Sequence, residues 1–546
     1  MKSASSFLLL SLAAASVVAQ TLPDSGQILQ QVTPGPQPLA PAIPRTNVEE
    51  SPSTQLVGGQ RIRIQRFRVR GATMFSEAEL VSLIDHASDN NELTLAELGA
   101  LAERITRYYR ARGYLVARAY VPPQEVLEGT ITIAVSEGRI GEVRLDNRAG
   151  IADSALAPLE AVASGDVVRT QVLESSLLAL SDLPGVEVKS TLRPGATVGT
   201  SDLLVEVKPG TAIAGSADVD TFGNRYTGAS RLGASLFWNN PAGRGDQASL
   251  RLQTSESGFH YGRASYQLPF GKYAARIGVA GSNMRYQLGK EFASLRAGGE
   301  ATIASLYFQL PFIRSQDVNL LGQLQYDDKQ LVDRIGATST EIGKDIANWT
   351  VGIEGSLADG IGEGGINTAR LAYGVGSLHL DATSAAIDRI TSRTQGRFGK
   401  WTVSLRRMQR LPANMHLTIS YSGQWASKNL DSSEKFMLGG AYGVRAYPQG
   451  EATGDEGQLV SLELGSPLVG NWEIQGFLDD GRVTAERNPW ITSTNKRHLA
   501  GYGIGVAYSN RMFHLRAFAA WKAGTGSPTS DSDRTPRIWM QGAAYF

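Results

Sequence analysis

The sequence contains no cysteine among its 546 residues. Disulfide bonds, thiolate catalysis and zinc sites built on cysteine are therefore excluded. An excess of charge of one sign is also lacking, because 53 basic and 52 acidic residues leave a formal net charge of +1. A chain with this balance gives no reason to expect a nucleic acid as its partner.

Long apolar runs are missing beyond the N-terminus. No later segment reaches the roughly 18 apolar residues that a membrane-spanning helix needs. The N-terminus is typical of a secretory signal, because Lys2 precedes the apolar run 7–15 and small residues follow at 17–19. We expect this signal to cover residues 1–19. The protein is then exported, and it is either soluble outside the cytoplasm or crosses a membrane as a β-barrel.

Patterns that would support catalysis are scarce. None of the six histidines is spaced from another histidine or a carboxylate as in a metal-binding motif. Asp479 and Asp480 are adjacent, so on a strand they point to opposite faces and cannot form an acid–base pair. The glycine-rich stretch 438–450 lacks the helix and the Lys-Ser/Thr of a phosphate-binding loop. We predict no enzyme activity, no cofactor and no metal.

A short helix is predicted within residues 20–32, with Asp24 or Ser25 as its N-cap. The apolar side chains expected on one side of it are Ile28, Leu29 and Val32. The next segment, 33–56, is rich in proline. Because proline-rich segments are extended, we predict a linker that tethers the helix to the rest of the chain.

Two successive segments, 57–138 and 139–208, predict the same order of a strand, two helices and two strands. In the first, Thr94 opens a helix with a capping box and Gly113 ends it. The elements expected in the second are a strand at 140–145, helices at 155–163 and 171–183, and strands at 187–192 and 203–207. Arginines on the first strand are read as a solvated face rather than a nucleic-acid site. Edge strands in such modules can accept an extended peptide by strand addition.

Residues 209–546 change to an all-β pattern in which apolar side chains alternate with polar or small ones. The tetrapeptide Gln267–Phe270 recurs as Gln309–Phe312, 42 residues later. If both are tight turns on the same side, each strand takes about 21 residues and the segment holds about 16 strands. The last residues alternate and end in Phe546, as in outer-membrane barrels. A soluble sandwich is the alternative, but this segment is long for one sandwich core. We predict a membrane all-β barrel of about 16 antiparallel strands, preceded by two α+β domains.

The segment 427–456 lies between two strand patterns and contains the glycine-rich stretch 438–450, so it predicts a long loop with a defined shape. Arg445 lies at its tip. In the strand that follows, Asp479 shares its face with Phe477, and this face is expected to line the lumen. An inward aspartate and a loop arginine can form a bidentate pair. Two unrelated charges, an exposed arginine and a solvated aspartate, are the alternative that spacing alone leaves open.

These residues resemble the transporters of two-partner secretion, the haemolysin secretion/activation family, over essentially the whole mature chain. The family's loop motif Val-Arg-Gly-Tyr is present as Val444–Tyr447, with Ala446 in place of glycine. Its strand motif Phe-x-Asp-x-Gly is present as Phe477, Asp479 and Gly481. Further similarity lies at 113–124, 129–138, 183–186 and 199–203, which resemble two POTRA domains, and at 223–228 and 240–246, which resemble the start of the barrel.

The resemblance implies that Arg445 and Asp479 pair in the lumen, within a functional loop made with Val444, Tyr447, Phe477 and Gly481. It also implies that the helix in 20–32 is a plug that occupies the pore at rest. The implied partner is a secreted exoprotein with an N-terminal secretion domain, which docks on periplasmic POTRA domains and crosses the outer membrane, whose lipid surrounds the barrel. The resemblance does not identify this exoprotein. An assembly factor of the same superfamily, a passive porin and an outer-membrane enzyme are the alternatives.

Overall fold

A computed structural model describes residues 22–32, 47–48, 61–85, 92–492 and 494–546. The predicted signal, 1–19, and nearly all of the predicted linker, 33–56, lie outside the described residues. No helix in the described part of the chain is both long and apolar enough to cross a bilayer.

The N-terminal elements are a helix, α1 (Ser25–Gln30), and a two-residue strand, β1 (Asn47–Val48). Asp24 is the N-cap of α1, because its side chain accepts a hydrogen bond from the backbone N–H of Gln27. The β1 strand lies within the predicted linker and pairs in parallel with a strand of the second αβ unit, opposite Thr191 and Leu192.

The first αβ unit comprises β2 (Ile62–Arg63), β3 (Arg66–Arg70), α2 (Glu77–Ser82), β4 (Glu92–Leu93), α3 (Leu95–Ala111), β5 (Arg118–Tyr120) and β6 (Thr130–Ser136). Helix α3 begins at a capping box between Thr94 and Glu97. Its buried face consists of Leu98, Leu101, Ala102, Ile105, Thr106 and Tyr109. Strand β5 begins only at Arg118, because Tyr114 and Ala117 close a turn against the end of α3.

Glu137, directly after β6, connects this unit internally. Its buried carboxylate accepts hydrogen bonds from the backbone N–H groups of Thr73 (2.6 Å) and Met74 (2.8 Å) and from the hydroxyl of Tyr109 (2.9 Å). Burial acts to raise the pKa of Glu137, but the hydrogen bonds from Thr73, Met74 and Tyr109 outweigh it and lower the pKa below its ordinary value.

A carboxylate with a lowered pKa stabilises the fold fully above the unfolded-chain value of about 4.3, and this stability is lost as the pH falls through the folded value. We therefore expect Glu137→Gln to destabilise the unit at neutral pH by about 1–3 kcal/mol, because buried N–H groups lose a charged acceptor. The difference from wild type should shrink at acidic pH. Urea titration followed by far-ultraviolet circular dichroism checks this, with the exposed Glu160→Gln as the control. An equal loss at both pH values would contradict it.

The second αβ unit comprises β7 (Arg139–Asn147), α4 (Asp153–Leu156), a 3₁₀ turn (Ala157–Ala161), α5 (Thr170–Ser181), β8 (Val186–Pro194) and β9 (Thr200–Pro209). The predicted helix 155–163 is wrong as one element: α4 gives way to the 3₁₀ turn, which has Pro158 at its start. In both units the first long strand is parallel to the last, and the strand before the last is antiparallel to it.

The remaining strands form a closed barrel of 16 strands, in which each strand pairs with its neighbours in sequence and the first pairs with the last. They are β10 (Ile213–Asp220), β11 (Arg231–Asn239), β12 (Gln247–Ser255), β13 (His260–Phe270), β14 (Ala275–Gln287), β15 (Ala297–Arg314), β16 (Val318–Ile335), β17 (Thr340–Asp359), β18 (Gly365–Leu380), β19 (Gly396–Arg410), β20 (His416–Ala426), β23 (Glu456–Pro467), β24 (Trp472–Thr484), β25 (Lys496–Ser509), β26 (Phe513–Lys522) and β27 (Arg537–Tyr545). Between them lie a helix, α6 (Ala382–Ile390), and two short strands, β21 (Phe436–Met437) and β22 (Thr453–Gly454).

The repeated tetrapeptide does not form turns, which corrects the premise of the strand count. Gln267–Phe270 ends β13, and Gln309–Phe312 lies within β15. The chain reverses at the residues that follow, where Gly271 and Ser315 begin the turns. Both copies still lie at the same end of the barrel, one pair of strands apart, so the predicted number of strands is confirmed.

Side chains alternate between the two faces of the barrel wall. On β11, Leu232, Leu236 and Trp238 are exposed on the outside, whereas Arg231 and Ser235 are buried on the inside. The barrel meets the second αβ unit at one end, where Arg314 donates two hydrogen bonds, of 2.7 and 2.8 Å, to the carboxylate of Asp182. The opposite end is therefore the mouth that faces away from the αβ units.

Candidate functional site: an in-folded loop and a helix inside the barrel

The connection between β20 and β23, residues 427–455, runs into the lumen, and we call it the in-folded loop. Its short strands β21 and β22 pair with each other and form a stem. The tip beyond the stem packs its apolar side chains into the barrel, with Leu438, Val444, Ala446 and Tyr447 all buried. The tip turns through hydrogen bonds from the N–H of Val444 to the Leu438 carbonyl and from the N–H of Tyr447 to the Val444 carbonyl.

The structure brings Arg445 and Asp479 together. The Nε of Arg445 lies 2.9 Å from one carboxylate oxygen of Asp479 and Nη2 lies 2.6 Å from the other. The backbone N–H of Arg445 also donates to this carboxylate, at 3.1 Å. Arg445 is 6% exposed and Asp479 is 2% exposed. The pair is therefore bidentate and buried, the geometry in which an arginine–carboxylate contact is both strong and specific.

Four further groups complete the arrangement, which we call the loop lock. Ser461 accepts from Arg445 Nη2 at 3.0 Å and donates to Asp479 at 2.7 Å. Glu463 lies 2.5 Å from Arg445 Nη1, and Trp539 donates to the Arg445 carbonyl at 2.7 Å. The Phe477 ring faces the guanidinium, with 3.5 Å between the guanidinium carbon and the ring centroid, a cation–π contact.

The other predicted residues of the loop motif lie around this pair. Ala446, which replaces the family's glycine, does not have a positive φ and packs beside Gly501, where an added Cβ would lie 2.6 Å from the Ala446 Cβ. The Tyr447 hydroxyl donates to the Gly526 carbonyl at 3.4 Å. Asp480 points outward, as the alternation predicts, and its carboxylate lies 2.7 Å from His498 Nε2.

Gly481 gives the loop room to approach the wall. A Cβ at this position would lie 2.3 Å from Leu438 Cδ1 and 2.9 Å from the Gln458 carbonyl oxygen. The glycine of the strand motif is therefore required by close packing, because a larger residue forces the tip of the loop away from β24.

We expect Gly481→Ala to destabilise the in-folded position of the loop by about 1–3 kcal/mol, the usual cost of overpacking a filled core. Trypsin cleavage after Arg445 in the detergent-solubilised protein measures this release. Gly476→Ala is the matched control. Gly476 lies on the same strand, and an added Cβ there has no heavy atom within 4 Å. Equal resistance of the two variants to trypsin would show that Gly481 is not needed for packing.

Helix α1 lies inside the barrel beside the in-folded loop. Ile28 is buried among lumen-facing side chains, and Leu29 and Val32 pack partly against the same cluster. The C-terminal end of the helix reaches β11, where Arg231 donates to the Gln31 carbonyl at 2.9 Å. Gln30 donates to the Lys435 carbonyl of the in-folded loop at 2.6 Å.

The N-terminal end of α1 is held by charged groups on the opposite wall. Lys344 on β17 lies 2.7 Å from the Asp24 carboxylate and 3.2 Å from that of Asp431 in the in-folded loop. Asp333 on β16 accepts from the backbone N–H of Ser25 at 2.7 Å and from its hydroxyl at 3.0 Å. Asp24 thus has two roles, since it caps the helix and pairs with Lys344.

Sequence reasoning missed the wall residues that hold α1 and the lock, namely Asp333, Lys344, Ser461, Glu463 and Trp539. One signal was available, because Lys329 and Asp333 share the inward face of β16, and charged side chains in the polar interior of a barrel can bind a segment inserted there. In the described part of the chain, no group of three or more His, Asp or Glu side chains could hold a metal ion.

A closed 16-strand barrel with αβ units at one mouth defines an outer-membrane β-barrel protein of Gram-negative bacteria, with its N-terminal units in the periplasm. The chain belongs to the family described as haemolysin secretion/activation protein ShlB/FhaC/HecB, whose model matches residues 199–508. A model of the ShlB-type POTRA domain matches residues 62–138, the first αβ unit.

Relatives and solved structures agree with this family. The heme/hemopexin transporter protein HuxB of Haemophilus influenzae (strain 86-028NP) is 32% identical over 381 residues, and the match covers 68% of this chain and 66% of HuxB, just under two thirds of its length. The outer membrane transporter CdiB of Escherichia coli O6:K15:H31 (strain 536 / UPEC) is 25% identical over 489 residues, 87% of this chain and 81% of CdiB. A solved structure of CdiB from Escherichia coli has a TM-score of 0.70 at 20% identity, covers 91% of this chain and 93% of its own, and shows the shared fold.

Proposed function

We propose that the protein carries an unfolded exoprotein through its barrel across the outer membrane, in two-partner secretion. The observation that supports this most is the content of the lumen. Helix α1 and the in-folded loop both lie inside the barrel, and hydrogen bonds and ion pairs contribute much of their attachment to the wall. A helix that can leave the lumen and a loop that gives the remaining path a defined shape suit a pore for a polypeptide. The relatives named as transporters support the same class.

In this proposal, α1 is the plug of the resting pore. Asp24 anchors its N-terminal end through Lys344, and Ile28, Leu29 and Val32 pack it against the lumen. The extended linker that the sequence predicts over 33–56 would tether the plug when it leaves. Departure exchanges the contacts of Asp24 and Ser25 for contacts with water, at the cost of exposing Ile28.

The loop lock holds the in-folded loop at a defined place during transport. Arg445 and Asp479 supply the specific contact, Val444 and Tyr447 pack the tip, and Phe477 and Gly481 shape the wall that receives it. Because a buried charge left without its partner is costly, the loop has one strongly favoured position as long as both residues are present.

The two αβ units act as the docking site for the N-terminal secretion domain of the exoprotein, and we assign the second unit as a second POTRA domain because it repeats the strand arrangement of the first. Strand β5 is at the edge of its three-stranded sheet, so its outer side is available for strand addition. Because the periplasm supplies no nucleotide, folding of the exoprotein outside the cell is the proposed driving force.

The experiment that tests this function removes the protein from a cell that makes an exoprotein encoded beside it. Export is expected to stop, with the exoprotein degraded or retained in the periplasm and other outer-membrane barrels at normal levels. Unchanged export would contradict the proposal. A general loss of other barrels would indicate an assembly factor, and passage of small solutes without any exoprotein would indicate a porin.

A further inference from the structure

The turn that ends the tip of the in-folded loop contains a fully buried carboxylate, Glu451, which is 0% exposed. It accepts hydrogen bonds from the backbone N–H of Thr529 (2.9 Å) and of Ser530 (2.8 Å). It also accepts from the hydroxyls of these residues, at 3.0 and 2.6 Å. Arg497 completes the shell with an ion pair of 2.5 Å. None of these donors belongs to the in-folded loop.

The partners of Glu451 lie at the outer mouth of the barrel. Thr529 and Ser530 belong to the connection between β26 and β27, residues 523–536, which we call the outer loop. Arg497 is near the outer end of β25. An ion pair of 2.9 Å between Asp531 and Arg537 fixes the C-terminal end of the outer loop. Glu451 therefore holds its middle, and the Tyr447 hydroxyl adds a weaker contact to Gly526.

The shape of the outer loop depends on this carboxylate. Two consecutive N–H groups that point at one anion form a nest, an anion-binding concavity of the backbone. Without Glu451, the N–H groups of Thr529 and Ser530 and the guanidinium of Arg497 would lose a shared buried acceptor. The outer loop would then be tied to the in-folded loop by the weaker contact from Tyr447 to Gly526.

This contact is separate from the loop lock. The lock uses Ser461 and Glu463 on β23 and Asp479 on β24, whereas Glu451 uses β25 and the outer loop, and the two sets share no residue. We propose that Glu451 is a positioning residue that closes the outer mouth, by tying the outer loop to the in-folded loop, so that movement of one releases the other. This inference rests on the proposed function only for the identity of what passes through the outer mouth, the exoprotein.

The test replaces Glu451 by glutamine in the full-length protein, which keeps the size of the side chain and removes its charge. We expect a severalfold higher frequency of open events in planar lipid bilayers, together with faster trypsin cleavage after the exposed Arg534 of the outer loop. Arg497→Gln should change both readouts in the same direction. The matched control is Glu486→Gln, since Glu486 lies in the neighbouring connection and accepts from Trp490 instead.

Wild-type gating and wild-type trypsin resistance in Glu451→Gln would overturn the inference. If this variant fails to form a barrel, as judged by heat-modifiable gel mobility, the double variant Thr529→Ala/Ser530→Ala removes two donors from the outer loop alone. It should show the same two changes at smaller size, and wild-type behaviour would again overturn the inference. Neither readout needs an exoprotein. If export proceeds without the protein while Glu451→Gln still changes gating as expected, the proposed export function fails and this inference stands.

Discussion

Replacement of Arg445 by alanine will abolish export of the exoprotein while the barrel stays assembled. Asp479, which is 2% exposed, would be left as a buried carboxylate without its guanidinium partner. Removing one member of a buried ion pair costs about 3–5 kcal/mol. Because each 1.4 kcal/mol is about a factor of ten, the in-folded position would lose at least about a hundredfold in population. Exoprotein in the medium measures the effect, and heat-modifiable gel mobility verifies the barrel.

The same loss is expected for Asp479→Ala, and the charge-swapped double variant should restore part of the export. Restoration is limited because Glu463, which lies 2.5 Å from Arg445, would then face an aspartate. Arg334→Ala is the matched control, since Arg334 pairs with Glu341 in an exposed hairpin outside the lumen. Normal export in both single variants would remove the loop lock from the mechanism and leave the αβ units as the main candidates.

A valine in place of Gly26 will open the resting pore. A Cβ at Gly26 would lie 2.2 Å from the Ser432 hydroxyl oxygen and 2.5 Å from the Ser433 backbone nitrogen. The hydroxyl can rotate away but the backbone nitrogen cannot, so α1 has to leave its position. We expect a large rise in the conductance of planar bilayers containing the protein, and sensitivity of the cells to antibiotics too large for ordinary porins.

Gln27→Val is the control for this variant, because it introduces the same β-branched residue at the next position, which is only half-buried. Valine forms helix better than glycine and less well than glutamine, so a loss of helix propensity would affect Gln27→Val and not Gly26→Val. A closed pore in Gly26→Val would show that α1 tolerates the added side chain and that contact with the in-folded loop does not determine its position. An open pore in both variants would assign the effect to helix stability instead.

The sequence predicted the barrel wall well because the pleat of a strand imposes a period of two. The predicted lumen face of β24 matches the structure, with Phe477 and Asp479 inside, and Trp472, Ile474 and Leu478 lie on the outer face. The predicted number of strands was right although the tetrapeptide repeat forms no turns. The count was right because the two copies occupy equivalent ends of β13 and β15, so the 42 residues between them still span one pair of strands.

The candidate site was predictable only where a motif named both partners. Arg445 and Asp479 were found this way, whereas Glu463 and Trp539 were not, because no local rule states which strands lie beside the tip of a loop that folds inward. The same limit applies to Lys344 and Asp333, which approach Asp24 and Ser25 across more than 300 positions of sequence. Closure of the barrel determines these contacts.

The central claim, that the exoprotein passes through the lumen, is tested most directly by cysteine cross-linking. The chain has no cysteine of its own, so single cysteines can be placed at Gln323, on the lumen side of β16, and at Leu324, on its outer side. An exoprotein with one cysteine is arrested in transit by a tightly folded C-terminal fusion. Disulfide cross-links at Gln323→Cys and none at Leu324→Cys are the predicted result. Cross-links at Leu324→Cys alone, or at neither position while export proceeds, would contradict the account.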